Sequence, residues 1–364
     1  MRLLFIQPQP CIRALKLAQG LKWALGEDVS LVFGYLDRTL TELYGYGDEF
    51  FDEFVKLNRE DLNKGISELV ERYKPNIIHS HNAPDFMTVS AINAVENIPI
   101  IHDTHDALTM RKMGYYAGDG EDKILEYAEE EKKANEESNG RLYVTKGVGN
   151  YLRKRYNLDK ESELVFRNYV SEDMMPKGLT NKLSDKDGEI HIVYAGTISS
   201  QMEGHHYDLR GIFREIAEHG FHIHIYASRE DEAYSLLAEK DSHIHYHGHF
   251  NRKVLMQDEL KKYDFGWAGF NDAMNKEHLD VALPNKAIEY IGCGLPILTL
   301  PHKTLSKFVT ENKVGLVINN FDEMKEQLFE SREIQVNVIK KRYEFTIENN
   351  INKLIQFYKN LIIQ

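Results

Sequence analysis

The sequence predicts an α/β protein of two doubly wound, parallel-sheet domains, and three observations carry that prediction. Short apolar runs alternate with longer amphipathic stretches along almost the whole chain, the pattern of parallel strands covered by helices on both faces. The rhythm runs twice, once before about residue 168 and once after about residue 189. The 364 residues suit two domains, or at most three, at roughly 150 residues each.

The first set of strands is expected at Leu3–Ile6, Val29–Phe33, Asn76–Ser80, Ile98–His102, Arg141–Thr145 and Glu163–Phe166. The second set is expected at Ile190–Ala195, His222–Ala227, His243–His247, Phe265–Ala268, Pro296–Leu300 and Val314–Ile318. Helical patterns lie between them. Ile66, Leu69, Val70 and Tyr73, for example, follow the i, i+3, i+4, i+7 spacing of one buried face. Ser171 to Gly188 is polar, holds Pro176, Gly178 and Gly188, and reads as an interdomain linker. Ile334 to Gln364 is a helical pattern with no strand after it.

Composition narrows the function classes. Lys+Arg is 45 and Asp+Glu is 57, a formal charge of −12, which argues against nucleic-acid binding by bulk charge. Hydrophobic residues at 42% and charged residues at 28% are ordinary for a folded chain. Two cysteines, Cys11 and Cys293, are too few for a disulfide framework and suit a reducing compartment. The apolar run near Met1 is ended by Gln7-Pro8 and does not fit a signal peptide. No apolar stretch approaches the ~20 residues that span a bilayer. A cytoplasmic protein is the expectation.

Ligands of such sheets bind at the carboxyl ends of the strands. After the first strand stands Gln7-Pro8-Gln9-Pro10-Cys11, and after Val193-Tyr194-Ala195 stands Gly196-Thr197-Ile198. Neither is the G-x-G-x-x-G of a nicotinamide or flavin site, and no P-loop occurs anywhere in the chain.

The most informative stretch is Ala282 to Pro296. Pro284 suits the first position of a helix, and Gly292 and Gly294 suit its end. Lys286 and Glu289, three apart, share one helix face, which leaves Ala287, Ile288 and Ile291 for the core. The first-turn N–H groups and the positive end of the dipole can hold a phosphate. Lys286 adds a cation there, and Glu289 can accept two hydrogen bonds from a vicinal diol such as a ribose. The competing reading is a surface Lys–Glu pair with no ligand.

The motif P-N-K-x-x-E-Y-x-x-x-G-L-P-I, from Pro284 to Ile297, resembles the nucleotide-sugar motif of retaining GT-B glycosyltransferases, the large family-4 group. Further segments are similar in the same order: Lys74–His81, Ile98–Asp106, Lys133–Asn135 with Leu142–Val148, Phe166–Val170, and Ile192–Thr197. The resemblance implies two Rossmann-like domains facing across a cleft. Residues 1–170 would form the acceptor-side domain and 171–335 the nucleotide-sugar domain, with 336–364 crossing back as a helix onto the first.

It further implies a transferase that moves a sugar from a nucleoside-diphosphate sugar to a hydroxyl acceptor, glycan, lipid-linked or small, with retention and without a metal. Lys286 would lie near the diphosphate and Glu289 on the ribose, with Pro284, Asn285, Gly196, Thr197 and Arg210 around the donor and His249 near its base. His105 and Asp106, after a first-domain strand, would lie close to the transferred sugar. Alternatives on the same fold are a non-catalytic nucleotide-sugar-binding subunit and a nucleotide-sugar 2-epimerase.

There are departures from the family pattern. Val281 stands where the first Glu of its Glu-x7-Glu is expected, with Asp280 one place off. The usual Arg and Lys after Ile192–Ala195 are missing, and Arg210 is the nearest cation downstream, with His205 and His206 before it. The Gly-Gly loop after the first strand is replaced by Gln7-Pro8-Gln9-Pro10.

Three features stand outside the motif. His243, His245, His247 and His249 alternate, and period 2 places all four on one strand face, too spread out to share one ion and read as polar packing. His79, His81 and His102 read as packing or supporting residues. Ser138 to Leu158 has no acid and contains Arg153, Lys154 and Arg155. A solvated helix face is its ordinary reading, and weak peripheral contact with the inner face of a membrane is the functional one.

Overall fold

The computed structural model describes residues 1–111, 119–329 and 331–363. The chain divides into two compact units, Met1–Asn168 with Ile347–Gln364, and Tyr169–Thr346. Gln364, which closes the predicted terminal helix, lies outside the described residues.

The first unit holds seven parallel strands: β1 (Arg2–Ile6), β2 (Ser30–Tyr35), β3 (Glu53–Lys56), β4 (Ile77–His81), β5 (Ile100–Thr104), β6 (Gly140–Tyr143) and β7 (Glu163–Val165). Their order in the sheet is β3-β2-β1-β4-β5-β6-β7. The direction of winding reverses between β1 and β4, where Ile6 pairs with Ser80 on one side and with Gly34 on the other. One sheet face packs Leu4, Ile6, Val32 and Ile78 against Leu62, Ile66 and Leu69 of the helix Leu62–Tyr73.

The second unit holds β8 (His191–Gly196), β9 (His222–Ala227), β10 (Ile244–His249), β11 (Phe265–Trp267), β12 (Ile297–Thr299) and β13 (Gly315–Val317). Its order is β10-β9-β8-β11-β12-β13, with the same reversal between β8 and β11. Ile192, Tyr194, Phe213, Ile223, Ile225, Tyr234 and Trp267 form its core.

The structure differs from the sequence reading at three places in the fold. β3 was not predicted: it is four residues long, lies at the sheet edge, carries a charge at each end and buries none of its residues deeply. The segment Ser171–Gly188, expected as a linker, packs within the second unit. Met174 and Met175 are buried, Leu183 N donates to Lys262 O at 2.8 Å, and Ser184 Oγ donates to Asp264 Oδ1 at 2.7 Å.

The return to the first unit begins at Ile347, later than residue 336. The helix Arg332–Lys341 counts with the second unit, tied there by Gln335 Nε2 to Gly294 O at 2.7 Å. The helix Ile347–Ile363 then buries Ile347, Ile351, Leu354, Tyr358 and Leu361 in the first unit. It crosses the helix Ile12–Leu25 so closely at Gly20 that a Cβ there would meet Ile347 Cγ1 at 2.5 Å.

Candidate functional site

In the second unit the residues flanking Lys286 come together at the carboxyl end of β8. The helix Asn285–Gly292 has Pro284 as its N-cap, one residue before the position expected for it. Every described residue of this helix from Lys286 to Gly292 is buried, so the surface Lys–Glu pair is ruled out. Lys286 Nζ lies 3.7 Å from the centre of the Tyr194 ring and 5.6 Å from that of Phe270. It has no hydrogen-bond partner among the described residues, and neither does the buried Asn285 Oδ1. Burial pushes the ammonium down to about 7, against the opposing pull of Glu289. Gly196, the last residue of β8, has φ +152°, and a Cβ there would come within 3.0 Å of Lys286 Nζ. Only a glycine lets the strand end approach the ammonium so closely.

Glu289 is 8% exposed and its Oε1 accepts from Arg252 Nη2, a residue the sequence reading passed over. Arg252 follows the loop after β10, where His249 Nδ1 faces Ser228 O at 3.1 Å and His249 N donates to Glu230 Oε1 at 2.9 Å. Thr197 Oγ1 accepts from Ser228 Oγ at 3.2 Å. Arg210 is occupied by Asp208, through Nε at 2.7 Å and Nη2 at 3.0 Å. Asp280 is likewise engaged, its Oδ2 lying 3.0 Å from Lys303 Nζ and its Oδ1 accepting from Lys303 N at 3.2 Å.

In the first unit His105 sits just beyond β5. The Asp103 carboxylate lies beside its ring, Oδ2 3.7 Å from His105 Nε2. Asp106 contributes its carbonyl, which accepts from Asn82 Nδ2 at 2.8 Å, while Asn82 Oδ1 accepts from His105 N at 2.7 Å. Gln7 joins the loop after β1 to the same place, donating to Asn82 O at 2.9 Å and accepting from Cys11 N at 3.1 Å.

Asp103 is fully buried at the centre of a polar cluster. Its Oδ2 accepts from Arg13 Nε at 2.7 Å and faces His79 Nε2 at 3.1 Å and His81 Nδ1 at 3.3 Å. Burial opposes its charge, but Arg13 and the three imidazoles hold the carboxyl well below its usual range. His79 Nδ1 contacts Tyr358 OH at 2.6 Å, which ties the cluster to the C-terminal helix. His102 lies apart, between Thr88 Oγ1 at 2.9 Å and Asp85 at 3.2 Å. The pairing of β4 with β5, Ser80 with His102 and His81 with Asp103, builds this arrangement, so spacing along the chain does not announce it.

Among the described residues, two groups have the chemistry of metal ligands: Cys11, His81 and His105, and His79, His81 and Asp103. In the first, His105 turns Nδ1 to Cys11 Sγ at 3.8 Å and Nε2 to His81 Nδ1 at 3.2 Å, so its two nitrogens serve the neighbours separately.

The alternating histidines resolve differently from the prediction. β10 shifts register between Tyr246 and Gly248, a bulge made by Gly248 at φ +68°, and this takes His249 out of the row. His243 Nδ1 faces Asp241 Oδ1 at 3.4 Å, and His245 and His247 join neighbours on β8 and β9 in two chains. One runs Asp187–His191–His224–His247 at 3.0, 2.9 and 3.0 Å; the other runs from Glu189 to His222 and on to His245, the last step 2.8 Å. In the basic segment, Arg153 is paired with Glu163 at 2.5 Å and Arg155 with Tyr156 OH at 3.2 Å, while Lys154 is exposed. No helix among the described residues is long and apolar enough to cross a membrane.

With this geometry in hand, the chain can be compared with known proteins. Residues 205–362 match the family described as glucosyltransferase 3-like, C-terminal domain. None of the curated proteins gives a significant match by sequence. Among solved structures, a glycosyltransferase from Rickettsia africae ESF-5 is similar over 99% of this chain and 98% of its own, with TM-score 0.72 and 13% identity. Sucrose-phosphate synthase of Thermosynechococcus elongatus is similar over 100% and 99%, with TM-score 0.70 and 11% identity. The Anabaena protein HepE, solved with UDP and glucose, is similar over 98% of each chain, with TM-score 0.65 and 11% identity.

At these identities the structural likeness establishes the fold: two Rossmann-like units of the GT-B glycosyltransferase type. The chain thus has the GT-B fold, and the matched segment is similar to a glycosyltransferase domain. The segment that resembles the glucosyltransferase 3-like domain includes, more particularly, Arg210, His249, Pro284, Asn285, Lys286 and Glu289.

Proposed function

We propose that the protein transfers a sugar from a nucleoside-diphosphate sugar to a hydroxyl acceptor, a glycan or a lipid-linked molecule, and that Lys286 holds the donor diphosphate. The observation that carries this reading is the Lys286 ammonium, buried without a hydrogen-bond partner among the described residues, beside Gly196 and in the first turn of the helix Asn285–Gly292. A lysine desolvated in this way gains most from an anion, and the helix N-terminus adds donors to it. As the bond between the diphosphate and the anomeric carbon breaks, the leaving group gains negative charge, and Lys286 stabilises it where it forms. Glu289, oriented by Arg252, takes the ribose diol. Asn285, Gly196 and Thr197 line the phosphates, and His249 lies toward the base. On the first unit, His105 and Asp106 are the residues this reading assigns to the transferred sugar.

UDP-glucose is the first donor to test, since HepE was solved with UDP and glucose and the matched domain is glucosyltransferase 3-like. No divalent ion is needed where Lys286 and a helix terminus carry the diphosphate charge, and retention at the anomeric carbon follows from the resemblance of the Pro284–Ile297 motif. Calorimetric titration with UDP, GDP and ADP, followed by assay of the matching glucose donors, tests the reading. Binding of one nucleotide together with release of it from its sugar donor is expected. Absence of binding by all three contradicts the reading, and binding without turnover under any acceptor reassigns the chain to a non-catalytic subunit.

A further inference from the structure

We propose that Asn82 is a positioning residue of the transfer site, and that with Gln7 it forms a pair of buried side-chain amides that clamps the backbone of His105 and Asp106. The proposal rests on the reading that assigns His105 and Asp106 to the transferred sugar, but the clamp itself is measurable without any donor.

The pairing of β4 with β5 runs through Ser80 with His102 and His81 with Asp103. Asn82 follows, and its backbone N–H still donates to Asp103 O at 3.1 Å. β5 ends at Thr104, and beyond that point the side chain of Asn82 takes over the pairing. Its Oδ1 accepts from His105 N at 2.7 Å, and its Nδ2 donates to Asp106 O at 2.8 Å. A backbone N–H can only donate and a carbonyl can only accept, so these partners allow one orientation of the amide. The backbone is therefore held on both sides of the bond that joins His105 to Asp106.

Gln7 holds Asn82 in turn. Its Nε2 donates to Asn82 O at 2.9 Å, and its Oε1 accepts from Cys11 N at 3.1 Å. Pro8 and Pro10 have no N–H to offer, so a side chain makes the link from this loop. Pro8 O accepts from Leu36 N at 3.0 Å and Asp37 N at 3.1 Å, which seats the loop against the end of β2. Gln7 and Asn82 are both buried. The two amides thus join the loops after β1, β4 and β5 at the carboxyl end of the sheet, where ligands of such sheets bind.

The chemistry of the pair suits positioning. A carboxamide offers a donor and an acceptor but no charge, so it holds the loop without adding a field to the reacting centre. A shift of the His105 backbone requires breaking the bonds that Asn82 makes on both sides of it. Loss of the Asn82 amide takes from His105 N and Asp106 O the partners they have here.

The test begins with hydrogen–deuterium exchange of the full chain. Asn82→Ala should speed exchange of the His105 amide about tenfold, the scale of one lost hydrogen bond, while the amides of β4 and β5 stay protected. Gln7→Met leaves the Asn82 side chain in place and should speed the same exchange by less, and it carries the test if Asn82→Ala does not fold. Unchanged exchange at His105 overturns the clamp. For the positioning role, release of UDP from UDP-glucose is followed. Asn82→Ala should lower kcat about 10²-fold, the scale of a misplacement of about 1 Å, and leave KM for the donor unchanged. Asn82→Asp keeps the acceptor for His105 N but turns an oxygen toward Asp106 O, so it too should be slow. A normal rate in either variant overturns the role and leaves the clamp standing. A fall in UDP affinity that matches the fall in turnover also overturns it, since the nucleotide contacts are assigned to the second unit. Absence of any turnover in the unaltered protein contradicts the transferase reading alone, and exchange at His105 still decides the clamp.

Discussion

Lys286 Nζ sits over the face of Tyr194, 3.7 Å from the ring centre, at the point where Gly196 ends β8. The ring face and the missing Cβ together leave the ammonium room, and it has no hydrogen-bond partner among the described residues. Gly196→Ala should push Lys286 aside by direct contact, and the backbone at φ +152° does not welcome a side chain. Donor affinity is expected to fall about tenfold, with thermal unfolding little changed. Unchanged UDP affinity in this variant would separate Lys286 from the diphosphate.

The depressed Lys286 makes donor binding pH-dependent. Burial lowers its pKa to about 7 in the unliganded protein, and a diphosphate raises it again. Nucleotide affinity should therefore be greatest below pH 7 and weaken as pH rises above it, with uptake of up to one proton per nucleotide bound. Calorimetry at pH 8 in two buffers of different ionisation enthalpy measures that uptake. Zero uptake in both buffers counts against a partly neutral lysine.

Glu289 and Arg252 form one unit in the structure. Glu289→Ala removes the ribose acceptor and should cost roughly 1.5–3 kcal/mol of nucleotide binding, the scale of a charged hydrogen bond. Arg252→Ala leaves the carboxylate in place but frees its orientation, so a smaller loss is expected. If Arg252→Ala costs more than Glu289→Ala, the guanidinium contacts the nucleotide itself.

The histidine chains of β8 to β10 predict acid sensitivity in the second unit. Burial and the neighbouring imidazoles push His224 down to about 2 and His245 to about 4. Their protons are thus taken up by the unfolded chain first, near 6.5. Stability is full above about pH 6.5 and falls as pH drops toward 4, with His224 contributing up to about 1.4 kcal/mol for each pH unit lost. Urea midpoints at pH 7, 6 and 5 measure this, and His224→Gln should flatten the dependence. Midpoints that do not move between pH 7 and 5 would refute it.

The sequence shows the double βα rhythm and the Pro284–Ile297 motif because both are local, written in residues a few places apart. β3 escaped because a short, charged edge strand has little apolar signal of its own. The Asp103 cluster escaped for a different reason. His79, His81 and Asp103 meet only through the pairing of β4 with β5, and Arg13 and Cys11 reach them from the helix after β1. Asp103 stands two residues before His105 on β5, and its Oδ2 lies 3.7 Å from His105 Nε2. Arg252 was equally invisible, since nothing in its own neighbourhood marks it as the partner of a glutamate 37 residues away.

Release of UDP from UDP-glucose, measured for the unaltered protein and for Lys286→Ala, tests the central claim most directly. The unaltered protein should turn the donor over, and Lys286→Ala should lower turnover about 10²-fold or more, the scale of one preorganised charge contact, while keeping its thermal unfolding. Equal turnover by the two proteins would contradict the role given to Lys286. Absence of turnover by the unaltered protein with UDP-glucose and with the GDP and ADP glucose donors would contradict the transferase itself.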